Sequence, residues 1–188
     1  MAVAAEIEPV DAEIFLWRLF DPAVKAELFS TGLMTPSGIY MVDPVPLGPE
    51  SLAEIAAMGK VLGIFVTNEN HDRASAEFAE RFRACVYRNG SAPEGPLRPI
   101  QIEGAPPAET ALYSTIGNGT MIMGDALVNA DPYGFALLPP KYCTDARIMR
   151  RSLAKLLDYS FERMFFAHGM PILEGARSRL ESLLNEHG

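Results

Sequence analysis

The sequence predicts a layered α/β protein with mixed sheets. Three observations predict it. Short apolar and aromatic runs fill the N-terminal part, strand-like and helix-like segments alternate after it, and hairpin signals later break that alternation. A simple doubly wound parallel fold would need unbroken alternation, so the hairpins exclude it. At 188 residues the chain can bury a substantial core, and one domain over residues 1–188 is expected.

The elements follow in order. Glu13–Phe20 and Ala26–Phe29 read as strands joined by a turn at Asp21-Pro22, and Gly38–Val42 reads as a third strand. Asp43-Pro44-Val45-Pro46 ends that strand, because the residue before a proline is pushed to extended backbone. Pro49 then stands in the first turn of a helix with Leu52, Ile55, Ala56 and Met58 at helical spacing, stopped by Gly59. Lys60–Val66 is a buried strand, followed by a helix over Arg73–Arg83 with Asn70 or Asp72 as its cap. Cys85–Tyr87 is a short strand and Asn89–Pro99 a loop. Pro99–Ile102 and Glu109–Ser114 read as strands, and Asn118-Gly119 is a hairpin turn into Thr120–Gly124. Residues 126–145 show no periodicity and read as a loop. A helix over Asp145–Tyr159, a strand over Phe161–Ala167 and a helix over Ile172–Glu186 close the chain.

Hydrophobic residues make up 48% and charged residues 21%, with a net charge of −8. Such an acidic chain with scattered lysines and arginines argues against nucleic acid and against an anionic membrane surface. No apolar stretch approaches the roughly 20 residues of a membrane span, and Met1–Pro9 lacks the apolar core of a signal peptide. Cys85 and Cys143 have no metal-like spacing and read as free thiols of a cytoplasmic protein. Phe15, Leu16, Trp17, Leu19 and Phe20 crowd one strand, so a homodimer through it is expected.

The polar stretch Val66-Thr67-Asn68-Glu69-Asn70-His71-Asp72-Arg73 follows an apolar strand and opens a helix, where α/β proteins place chemistry. Asp125 follows Met121-Ile122-Met123-Gly124, and His168 follows Met164-Phe165-Phe166-Ala167. Read alone, each has a structural alternative: a helix cap for Asp72, a turn for Asp125 and a satisfied core imidazole for His168. No Gly-x-Ser-x-Gly elbow, phosphate loop or dinucleotide fingerprint occurs.

These segments resemble the metallo-β-lactamase-fold superfamily. Ser37–Pro44 resembles its early strand ending in Asp-Pro, and Thr67–Arg73 falls where the family has Thr-His-x-His-x-Asp-His. Gly104–Tyr113 resembles the Gly-His-x-Pro-Gly segment with its following strand. Gly119–Leu127 and Phe166–Ile172 resemble the strands bearing the bridging aspartate and the last histidine. The resemblance implies a four-layer αββα sandwich with two mixed β-sheets and a metal-dependent hydrolase. It places Asn68, Asn70, Arg73 and Ala105 where the family has histidines, and it keeps Asp72, Asp125 and His168.

The chain has three histidines, His71, His168 and His187, fewer than the usual two-metal site consumes. Two readings remain open. In the first, Asp72, Asp125 and His168 hold one divalent ion (zinc, iron or manganese), with His71 as an added ligand one residue out of register. In the second, the protein is a metal-free binding or interaction module. Arg73 cannot ligate a cation and pairs with Asp72, while Asn68, Asn70, His71 and Arg73 bind a small anionic molecule.

Overall fold

The computed structural model describes Ala4, residues 6–132 and residues 134–186. His187 lies outside them. The chain forms two compact units, residues 1–66 with 70–88, and residues 67–69 with 89–188. Each is built on a mixed sheet with two α-helices among the described residues, so the mixed α/β class is as the sequence predicts.

The first unit holds a six-stranded sheet in the order β1 (Glu8–Pro9), β2 (Ile14–Asp21), β3 (Ala26–Thr35), β4 (Gly38–Val42), β5 (Val61–Phe65) and β6 (Cys85–Tyr87). Neighbours from β1 to β4 are antiparallel. β4–β5 and β5–β6 are parallel, as crossovers through α1 (Pro49–Met58) and α2 (Ser75–Phe82) require. Phe15, Trp17 and Phe78 stack in its core, with ring centroids 5.8 and 5.9 Å apart. The buried Trp17 Nε1–H donates to the Val45 carbonyl at 2.9 Å. β3 runs six residues beyond the expected Phe29, because Ser30–Leu33 are buried against both neighbours. α2 starts at Ser75 rather than Arg73, because Arg73 sits at φ 40°, outside helical geometry.

The second unit holds β7 (Arg98–Gln101), β8 (Thr110–Ser114), β9 (Thr120–Met123) and β12 (Arg163–Phe166) in the order β12-β9-β8-β7. β12 runs parallel to β9, and the other pairs are antiparallel. The turn before β9 has Asn118 at φ 62° and Gly119 at φ 92°, as the hairpin signal requires. α3 (Ala146–Ala154) is capped by Asp145, whose carboxylate accepts from the Arg147 and Ile148 amides. α4 (Ala176–Glu186) starts later than expected, since Ile172 instead exchanges hydrogen bonds of 2.8 and 2.9 Å with Met164. The expected 126–145 loop contains an antiparallel hairpin, β10 (Leu127–Ala130) with β11 (Gly134–Leu137). Both strands are half-buried on successive residues, so no alternation marks them. Phe161, Leu153, Met164 and Leu180 lie at the centre of this unit's core.

Candidate functional site

In the second unit the parallel register of β9 and β12 decides which polar groups meet. Met123 pairs with Phe166, and the Ala167 amide donates to the Met123 carbonyl at 3.0 Å. Asp125 and His168 each lie two residues beyond that pair. Two adjacent parallel strands thus deliver a carboxylate and an imidazole at their C-terminal ends, where α/β sheets place ligands. His168 Nε2 stands 3.2 Å from Asp125 Oδ1, with both side chains partly exposed at 22% and 16%.

Behind this pair lies a buried polar group. Asn68 is 2% exposed and Glu109 1%. The Asn68 side-chain amide donates to Glu109 Oε2 at 2.8 Å and to Asp125 Oδ2 at 3.1 Å. Glu109 Oε1 accepts the Ala126 amide at 2.9 Å. The Asn68 strand end is docked by Thr110 N donating to Thr67 O at 2.8 Å. On the other side, β10 holds the His168 turn. Asn129 N donates to His168 O, Met170 N donates to Asn129 O, and the Asn129 side chain donates to Met170 O at 2.7 Å.

The first unit carries the other residues of the polar stretch. His71 is 3% exposed, and its Nδ1 lies 2.9 Å from Asp43 Oδ2. In the neutral ring, a carboxylate at Nδ1 holds the proton there and leaves Nε2 as the acceptor. Asp43 itself is 1% exposed and sits at φ 49°. Its carbonyl accepts from Ser30 Oγ at 2.7 Å and from Arg73 NH1 at 3.0 Å. Arg73 NH1 also donates to the Phe29 carbonyl at 2.7 Å.

The expected Arg73–Asp72 pair is not what forms. Arg73 turns inward to backbone carbonyls, and the exposed Asp72 carboxylate instead takes Ser75 Oγ and Arg88. The Ser75 hydroxyl, with Arg88 beside it, holds the Asp72 carboxyl below its ordinary value. Arg73 stands in the left-handed region at φ 40°, outside the helix that begins at Ser75, and its guanidinium is taken up by the Phe29 and Asp43 carbonyls. Asn70 is exposed.

Sequence reading missed Glu109, Asp43 and Asn129. The only signal for Glu109 was a carboxylate directly before an apolar strand, which usually marks a solvated strand entry.

The family profile described as metallo-beta-lactamase superfamily matches residues 10–104, just over half of the chain. The match includes the 66–73 stretch and ends before Asp125 and His168. Solved structures share the fold at low identity. DIM-1 metallo-beta-lactamase exposed to ceftazidime has a TM-score of 0.73 at 14% identity, over 100% of this chain and 99% of that one. A metallo-beta-lactamase from Erythrobacter litoralis has a TM-score of 0.70 at 13% identity, over 96% of each chain. An archaeal metallo-beta-lactamase superfamily protein from Sulfolobus tokodaii has a TM-score of 0.62 at 13% identity, over 85% of this chain and 79% of that one. No curated protein matches the chain in sequence.

Proposed function

Because the chain belongs to the metallo-beta-lactamase superfamily, we propose that it is a hydrolase-like protein that works with a single divalent metal ion held on Asp125 and His168. One observation carries the reading: an imidazole and a carboxylate converge at 3.2 Å from equivalent positions on adjacent parallel strands. The spacing fits a shared ion. Two ligand atoms each about 2.0–2.1 Å from a tetrahedral centre lie roughly 3.3 Å apart. The donor chemistry fits as well, since one imidazole with surrounding oxygen groups suits manganese or iron and can hold zinc.

When bound, such an ion lowers the pKa of a water ligand and polarises a carbonyl or phosphoryl oxygen. The chain's own residues hold the geometry. Asn68 engages Asp125 Oδ2 and so turns Oδ1 toward His168. The Asn129 contacts fix the turn that presents the imidazole.

The test is the metal content of protein purified without chelator, followed by titration with manganese, iron and zinc. The expected result is one ion per chain, lost in D125A and in H168A. A wild-type chain that takes up none of the three ions sinks the reading and leaves a metal-free binding protein.

A further inference from the structure

We propose that Glu109 is a positioning residue for Asp125 and thereby sets the affinity of the metal ion proposed above. The inference rests on that reading and deepens it.

Glu109 grips Asp125 from three directions. Its Oε1 accepts the amide of Ala126, the residue after Asp125. Its Oε2 accepts the Asn68 amide nitrogen, which also donates to Asp125 Oδ2. Its carboxylate also lies directly on Gly124, the residue before Asp125. A Cβ there would stand 2.8 Å from each Glu109 oxygen and 2.7 Å from Thr67 Oγ1. Gly124 is therefore the residue that allows a carboxylate to approach the strand end so closely.

Burying a carboxylate is costly and needs compensation. Here both oxygens face groups that adjoin Asp125. The same placement puts a second carboxyl group one amide away from Asp125, and its ionised form strengthens the hold of Asp125 on a cation. Such outer contacts orient ligand carboxylates and tune their basicity. At position 68, where the resemblance implies an imidazole, the chain carries an amide that links the two carboxylates.

The experiment compares wild type, Glu109→Gln, Asn68→Ala and the double variant by calorimetric titration with manganese and zinc. Circular dichroism confirms that each variant is folded. Glu109→Gln keeps the shape, removes the charge and sets an amide nitrogen against one of the two donors, and it is expected to weaken binding roughly 10- to 100-fold. Asn68→Ala cuts the link with Glu109 in place and should weaken binding similarly. Because the Asn68 link is shared and the Ala126 contact is not, the double variant should lose less than the sum of the two single losses. A merely structural Glu109 would shift melting temperature without this coupling in affinity. Glu109→Gln affinity within about two-fold of wild type, or strictly additive losses, overturns the proposal. If Glu109→Gln does not fold, unchanged affinity in Asn68→Ala overturns it instead. No uptake by wild type overturns the metal reading itself, which distinguishes the two failures.

Discussion

Asp43 shows how one residue can organise a turn. Its amide donates to Phe65, its carbonyl takes Ser30 and Arg73, and its carboxylate faces His71. This shell holds a non-glycine residue at φ 49°, a conformation that persists only when its surroundings over-determine it. Asp43→Ala should therefore cost about 1–3 kcal/mol from the unsatisfied buried imidazole alone, read as a lower urea midpoint at unchanged slope. The sequence marked Asp43-Pro44 only as a strand end, because no pattern in the chain says which imidazole a carboxylate will meet. A second residue carries a pH signature. The amides of Ile148 and Arg147 hold the Asp145 carboxyl below its ordinary value of 3.8. A depressed folded-state pKa adds stability that is complete above the unfolded value and is lost as pH falls through the folded value. Asp145→Asn still caps the helix but has no charge to lose. The melting-temperature gap between wild type and Asp145→Asn should be constant above 3.8 and close below it. A gap that persists in strong acid would contradict the assigned cause.

At the scale of elements, the legible part was the strand ends. Apolar runs ending in Gly124-Asp125 and Ala167-His168 predicted two strands, and the structure places them side by side and parallel. The sequence could not show that pairing, because β9 and β12 are separated by the β10–β11 hairpin and α3. That hairpin was missed because its residues are half-buried without alternation, yet its Asn129 fixes the turn after His168. Gly169 makes the contact possible. It sits at φ 107°, and a Cβ would come within 2.0 Å of the Asn129 carbonyl oxygen. Gly169→Ala combines left-handed strain, of order 1–3 kcal/mol, with that backbone clash. It should lower the urea midpoint and also weaken metal uptake, since the distorted turn carries His168. Loss of stability with metal affinity intact would mean that the turn does not position the imidazole.

For the whole molecule, the fold does not depend on close sequence identity, since neighbours at 13–14% identity share it with TM-scores up to 0.73. Chemistry is less portable. The chain keeps the fold while amides, an arginine and an alanine stand at positions where the resemblance expects histidines, and a buried glutamate enters that no sequence pattern marks. Each unit has its own core, and the single tryptophan, Trp17, lies at the centre of the first. Its fluorescence therefore reports the first unit, while far-UV circular dichroism reports both. Asp125, His168, Asn68 and Glu109 all belong to the second unit. A ligand that binds only the folded state at a hundredfold excess over its Kd stabilises by about 2.7 kcal/mol. For a chain of this size that raises the melting temperature by about 5–10 °C. Manganese or zinc should thus raise the far-UV transition, excess chelator should reverse the shift, and H168A should show none. An H168A protein that shifts as much as wild type would place the ion elsewhere. If the two units unfold as one, the Trp17 signal moves with the far-UV signal. If they unfold separately, only the far-UV transition moves, and the metal-linked stability then belongs to the unit that carries Asp125 and His168.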